Sequence, residues 1–315
     1  MQIQNQTLLI FSGVCSLLFL ASLSGHLLRV RARGTAAAAG IEDLNERIHG
    51  WWGITLIVGG GLLAGPTVAT IFFALISFVA LREFFTLTSV RGADHQALLA
   101  IYLIALPVQY AAIALGWHTL FVALIPVCGF VIVPFLTALS CETENFLART
   151  AELLWALVLC VYGVSHVPAL LMLNIAGYQG RQVLLMVFLI LVTQSSDVLQ
   201  YLWGKLFGRH PVAPALSPSK TVEGLVGGIV CATTLGAALW WITPFTIPQA
   251  GAMAFVIAVA GFLGGLVMSA IKRDRGVKDW SQLIKGHGGI LDRLDSICFS
   301  APLFFHLTRF FFQNR

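Results

Sequence analysis

The sequence "GLVGGIVCATTLGAALWWITPFTIPQAGAMAFVIAVAGFLGGLVMSAI", residues 224–271, contains no Asp, Glu, Lys or Arg. A helix that crosses the hydrocarbon core of a bilayer needs about 20 apolar residues, so this stretch is long enough for two such helices. Its middle, Thr243–Pro248, reads "TPFTIP" and provides the turn that joins two helices in a hairpin. The stretch therefore predicts two membrane-spanning helices.

The composition of the whole chain points to the same class of protein. Hydrophobic residues make up 58% of the sequence, charged residues only 10%, and the mean hydropathy is +0.87, well outside the usual soluble range. Other charge-free stretches and apolar runs locate the remaining spans at residues 8–28, 53–81 (split at the "AGP" of residues 64–66), 97–141 (split at residues 116–118), 153–180, 183–207 and 294–312. We predict an all-α, polytopic membrane protein with about ten spans, nine being the alternative.

The basic residues predict the orientation of these spans, because Lys and Arg are retained on the cytoplasmic side. One set of alternate loops holds 16 of the 19 basic residues, and only Arg181, Arg309 and Arg315 fall on the other side. Both termini should then face away from the cytoplasm. The first apolar run has arginines after it and none before it, which indicates an uncleaved span and not a signal peptide.

The predicted spans and loops fall into three regions. Residues 1–40 form an N-terminal span with a basic linker, residues 41–180 the N-terminal helices, and residues 181–315 a C-terminal region whose functional site faces the cytoplasm. The net charge of +5 is spread over several loops, so it indicates contact with anionic lipid or phosphate and no nucleic-acid binding.

Polar residues at the cytoplasmic ends of the C-terminal spans form three clusters. Asp197 lies within a span in "TQSSDVLQYLWGKLFG", and an ionisable residue there is a functional candidate by default. The second cluster, "LSPSKTVEG", combines Ser217, Lys220 and Thr221 with a helix start, an arrangement that attracts phosphate. The third cluster is "KRDRGVKDWSQLIKGHGGILDRLD", residues 272–295, which holds ten of the 33 charged residues of the chain.

The third cluster has the parts of a polyphosphate site. Lys272, Arg273 and Lys278 carry the positive charge that a triphosphate needs. Gly288 and Gly289 let backbone N–H groups approach phosphate oxygens. Asp292 and Asp295, three apart on one helix face, provide the hard carboxylate oxygens that suit Mg²⁺ shared with substrate phosphates.

Each cluster also has a structural interpretation. A Lys/Arg run at a helix end is typical of a topology signal alone, and Asp197 could be a buried hydrogen-bonding residue between helices. His287 could be an ordinary loop residue, and the two aspartates could pair with Arg293 or Lys285. The position of all three clusters on the predicted cytoplasmic face favours function, a phosphate and metal site. The same clustering argues against a transporter, whose ionisable groups would line a path across the membrane.

A long motif within these clusters resembles that of the phosphatidate cytidylyltransferases. It comprises Ser269–Arg273, Lys278–Asp279, His287–Gly289, Asp292–Arg293 and Asp295. The segments "SPSKTVEGLVGG" and Asp197 with Tyr201, Gly204 and Phe207–Gly208 resemble two further conserved stretches, and weaker similarity extends back to about residue 41. The first span is an addition to the family pattern.

The resemblance implies a definite reaction, in which the phosphate of phosphatidic acid attacks the α-phosphorus of CTP to give CDP-diacylglycerol and pyrophosphate with Mg²⁺. The location it implies is a bacterial inner membrane, with CTP, phosphatidic acid or a similar lipid phosphate, and membrane lipids as partners. A second cation and a homodimer stay open. The implied metal ligands are Asp292, Asp295 and Asp197, with Asp279 a further acid; the implied phosphate contacts are Lys220, Lys272, Arg273, Lys278, His287 and Arg293, with Ser217, Thr221, Gly288 and Gly289 shaping the nucleotide site.

One departure from the family pattern concerns the metal. The family usually reads Gly-Asp-Leu upstream of the Lys-Arg pair, whereas this chain reads Gly264–Gly265–Leu266. Either the remaining aspartates suffice, or the chain is a divergent paralogue that acts on another lipid phosphate or on a polyprenol, or one with reduced activity. A catalytically silent relative that binds lipid or nucleotide is a further alternative.

Overall fold

The computed structural model describes residues 2–31, 45, 52, 55–56, 59–61, 64–88, 92–281 and 288–313. Within these residues the helices are α1 Gln2–Arg31, α2 Pro66–Thr86, α3 His95–Ala114, α4 His118–Ala138, α5 Phe146–Met172, α6 Gln182–Phe207, α7 Val222–Ala238, α8 Ile247–Asp274, α9 Leu291–Leu294 and α10 Ile297–Phe312. The predicted all-α class is confirmed. A small antiparallel hairpin of β1 (Pro211–Ala213) and β2 (Ser217–Thr221) is added to it, between α6 and α7.

The predicted helical hairpin of residues 224–271 is present as α7 and α8, joined through a 3₁₀ turn at Trp240–Ile242. Thr221 caps α7, because its hydroxyl accepts a hydrogen bond from the N–H of Gly224 at 3.1 Å. Thr246 and Gln249 form a capping box at the start of α8, where Thr246 N donates to Gln249 Oε1 at 2.9 Å. Threonine side chains therefore cap the start of both helices.

Six of the described helices, α2, α3, α4, α5, α6 and α8, are long and apolar enough to cross a membrane, and α7 is a shorter apolar helix. Large apolar side chains face outward from them; Leu103 is 68% exposed and Phe130 is 64% exposed, as expected for residues in contact with lipid. The chain is an integral membrane protein. The first half of the span predicted at residues 53–81 and the basic linker after α1 lie largely outside the described residues, so the count of ten remains a prediction.

Packing among the C-terminal helices positions the polar clusters. Helix α7 packs closely on α6, because Gly228 has no side chain at the point of contact. A Cβ at this position would lie only 2.7 Å from Gln200 Cα. Helix α8 packs against α7 and α10, and the short helix α9 contacts α2. The cytoplasmic ends predicted for α2, α6 and α8 therefore lie around the segment that leads into α10.

Candidate active site

Residues from all three polar clusters lie at one end of the helix bundle. Asp197 on α6 accepts a hydrogen bond from Ser296 Oγ at 3.1 Å, just before α10. Lys220 on β2 and Asp295 flank Gly265 of α8: a Cβ at this glycine would lie 2.5 Å from Lys220 Nζ and 3.8 Å from Asp295 Oδ2. Residues separated by about 100 positions in the sequence therefore form one charged group.

The end of α8 brings Lys272 into this group. Gly276 has φ of 70°, a left-handed conformation that favours glycine. Its N–H donates to Arg273 O at 3.0 Å, and Val277 N donates to Lys272 O at 2.9 Å, which completes a Schellman motif. The chain therefore turns back at a fixed point, with Lys272 in the last turn of the helix.

Asp292 contacts the end of α8, Trp280 and the turn at Gly288 and Gly289, called the glycine turn below. Its Oδ1 accepts from Lys272 Nζ at 2.7 Å, and its Oδ2 accepts from the backbone N–H groups of Trp280 and Gly289, both at 2.9 Å. The Lys272 and Asp292 side chains are only 12% and 8% exposed. Asp292, predicted as a metal ligand, thus has both oxygens engaged by protein donors, and it fixes Lys272 and the glycine turn together.

Gly288 is required at this turn for two reasons. Its φ is 77°, and a Cβ there would lie 2.6 Å from Asp292 Oδ2. We expect Gly288→Ala to lower turnover at least about tenfold relative to the control variant. Both variants carry the strain of a left-handed alanine, which is about 1–2 kcal/mol. The matched control is Gly276→Ala, which has the same φ region but no atom within 4 Å of the added Cβ. Equal turnover and equal thermal stability of the two variants would contradict the role given to Asp292.

Glu83, on α2, is a site residue that the sequence analysis missed. It is 5% exposed. Its Oε1 accepts from Ser281 Oγ at 2.7 Å and from Ile290 N at 2.9 Å, and its Oε2 accepts from Leu291 N at 2.9 Å. Glu83 therefore connects Ser281, Ile290 and Leu291 to a helix about 200 residues earlier in the chain. The available signal was an acid inside an apolar run, "FVALREFF".

Asp197 and Asp295 are two further acidic side chains of this group, and each accepts a hydrogen bond from Ser296 through Oδ1. They interact electrostatically with each other and with Lys220. Burial lowers the pKa of the Lys220 ammonium, and the charges of Asp295 and Asp197 oppose that shift. Among the residues that the structure describes, no group of three His, Cys, Asp or Glu side chains is arranged to hold a metal. Two carboxylates fit Mg²⁺, since this ion is often held by one or two carboxylates together with substrate phosphates.

The other predicted residues differ in exposure and contacts. Arg273, Lys278 and Asp279 are exposed, and Arg273 Nη1 donates to Val277 O at 2.8 Å. Thr221 caps α7 with the hydroxyl predicted for substrate, and Ser217 pairs with Ala213 in the β-hairpin. Arg293 and Gly288 are half-buried, Gly289 is buried, and His287 lies outside the described residues.

Comparison with known proteins places these residues in a family. The model of the cytidylyltransferase family matches residues 45–311, which include every element of the site. The chain belongs to the cytidylyltransferase family. It is therefore related to CTP-dependent transferases, and the match begins after α1, the helix predicted to be an addition.

Individual relatives of this chain differ in what their names state. The uncharacterized protein YnbB of Escherichia coli (strain K12) is 42% identical over 85% of this chain and 88% of its own length. The phosphatidate cytidylyltransferase of Staphylococcus saprophyticus is 30% identical over 77% of this chain and 90% of its own length. That of Staphylococcus aureus (strain COL) is 29% identical over the same shares.

Proposed function

We propose that this cytidylyltransferase transfers CMP from CTP to phosphatidic acid, giving CDP-diacylglycerol and pyrophosphate. The observation that carries the proposal is the convergence of Asp197, Lys220, Lys272 and Asp295 at one end of apolar helices, in a chain related to phosphatidate cytidylyltransferases. A charged site at the end of membrane spans lies where a lipid phosphate and a soluble nucleotide can meet.

The reaction needs positioning and charge neutralisation more than proton transfer. A phosphate oxygen of the lipid, already an anion, forms a bond to the α-phosphorus of CTP, and the bond from that phosphorus to the β-phosphate oxygen breaks. The electron pair leaves with pyrophosphate. No side chain has to act as a nucleophile, so the protein contributes orientation and fixed charges.

Named residues can supply these charges. Lys220 and Lys272, the latter fixed by Asp292, would neutralise phosphate oxygens, and the exposed Arg273 and Lys278 would receive the outer phosphates of CTP. Gly288 and Gly289 pack against the Asp292 and Glu83 carboxylates and so would shape the site without binding phosphate through space of their own. His287 and Arg293 are proposed as further phosphate contacts. Asp197 and Asp295 would hold Mg²⁺, which when bound supplies charge stabilisation at the transferred phosphorus and the leaving group.

A direct assay tests this function. Purified protein in lipid nanodiscs, with Mg²⁺, labelled CTP and phosphatidic acid, should form labelled CDP-diacylglycerol and pyrophosphate in equal amounts. Omission of phosphatidic acid is the control for CTP hydrolysis. Intact CTP binding without CDP-diacylglycerol would contradict phosphatidic acid as the substrate.

A different lipid phosphate is the second candidate substrate. One observation favours it: Gly265 stands where the family that the chain resembles usually has an aspartate. The same assay with a polyprenol phosphate in place of phosphatidic acid distinguishes the two. A product formed only with the polyprenol phosphate would keep the transferase chemistry and change the acceptor.

A further inference from the structure

Gly265 leaves a space in the site that the Lys220 ammonium occupies. A Cβ at position 265 would lie 2.5 Å from Lys220 Nζ, which is closer than a Cβ atom comes to a non-bonded heavy atom. Any side chain at this position must therefore displace the ammonium. The next neighbour of the added Cβ is Asp295 Oδ2 at 3.8 Å. Because Gly265 has no side chain, the Lys220 ammonium can lie on the side of α8 that faces Asp295.

Two further interactions stabilise Lys220 in this position. Its Nζ lies 5.2 Å from the centroid of the Phe262 ring, also on α8, within the range of a cation–π interaction. The carboxylates of Asp295 and Asp197 both attract it. The ammonium is thus held between an aromatic ring and two acids, on the side of the site where a carboxylate at position 265 would project.

We propose that Lys220, admitted by the absence of a side chain at Gly265, is a built-in counter-ion of the Asp197–Asp295 pair and weakens divalent-cation binding there. The inference rests on the proposed function, because it takes these two acids as the metal ligands. A fixed monovalent cation near two carboxylates neutralises part of their negative charge and repels a second cation. Gly265 and Lys220 together then determine how strongly the protein binds metal before substrate arrives.

Mn²⁺ binding without nucleotide or lipid substrate tests this directly, since carboxylate sites for Mg²⁺ also accept Mn²⁺. Free Mn²⁺ is measured by electron paramagnetic resonance during titration of the purified protein in nanodiscs. We expect Gly265→Ala, which displaces the ammonium, and Lys220→Met, which removes it, each to bind Mn²⁺ about tenfold more tightly than the parent chain. Gly265→Asp should bind more tightly still, because it also adds a carboxylate.

Gly251→Ala is the matched control. It adds the same methyl group to the same helix, 3.5 Å from Ala237 Cβ, and should leave Mn²⁺ affinity unchanged. Affinity in Gly265→Ala within twofold of the parent, or weaker, would overturn the inference even if Lys220→Met failed to fold. If the variants bind Mn²⁺ with the affinity of the parent chain, and the parent chain forms CDP-diacylglycerol, this inference is wrong and the proposed function stands. Tighter Mn²⁺ binding in a protein that forms no CDP-diacylglycerol would remove only the proposed function.

Discussion

Asp292→Asn is expected to lower turnover by about a thousandfold, the largest effect of a single polar substitution in the site. Asp292 accepts hydrogen bonds from the Lys272 ammonium and from the N–H groups of Trp280 and Gly289. An amide retains one acceptor oxygen and turns an NH₂ group toward one of these donors. Lys272 then loses its fixed position, and the glycine turn loses its anchor. Steady-state formation of the CDP-lipid measures the loss.

Asp274→Asn is the control for this substitution. Asp274 also lies in the charged segment, but its side chain is 73% exposed and its pairing with Arg275 is at 3.5 Å, so turnover should stay within about twofold, as for most surface changes. Parent-like turnover in Asp292→Asn would refute the role of Asp292. Mn²⁺ titration separates the two explanations of a loss: weaker Mn²⁺ binding indicates a metal ligand, whereas unchanged binding indicates a positioning residue.

Glu83→Gln should have the second-largest effect, although Glu83 is proposed to touch no substrate. Its carboxylate accepts from Ser281 Oγ and from the N–H groups of Ile290 and Leu291, and hydrogen bonds to a buried charge are worth about 1.5–3 kcal/mol each. The NH₂ group of a glutamine at position 83 would face at least one of these three donors. We expect turnover to fall by about a hundredfold as Lys272 and Asp292 lose alignment.

Hydrogen exchange at the amides of Ile290 and Leu291 provides the readout that a simple loss of activity lacks. Exchange at both should rise at least about tenfold in Glu83→Gln, because their acceptor is weakened. The control is Glu142→Gln, in which the partner Arg149 keeps its buried interaction with Asp94 at 3.4 Å. Unchanged exchange at residues 290 and 291, together with lost activity, would exclude a positioning role for Glu83.

The sequence predicted the helices and their connections well. The turn between α3 and α4, the break before Pro66 and the turn before α8 all fall where Gly and Pro interrupt apolar runs. These features are local, since a run of apolar residues and a helix-breaking residue act within a few positions. The β-hairpin of residues 211–221 was not predicted, because its two strands are short and carry no alternating pattern.

The site was predicted less completely than the helices. The motif indicated Lys272, Asp292 and Asp295 as one group, and Asp295 does interact electrostatically with both Lys272 and Asp292. The motif did not indicate that Asp292 also binds backbone N–H groups, or that Asp295 also interacts with Lys220 and Asp197. Spacing three apart on a helix specifies a shared face and does not specify what lies opposite that face.

By itself, the sequence determined the membrane-embedded helical class and predicted a one-sided distribution of charge and a phosphate site, since composition and local spacing are sufficient for these. Only the tertiary structure decided which charged side chains contact each other, because that depends on packing between distant elements. It showed that Glu83 binds the backbone of Ile290 and Leu291 and that the Lys220 ammonium occupies the space beside Gly265. Both contacts join residues from different helices and strands, and no local pattern encodes such a distance.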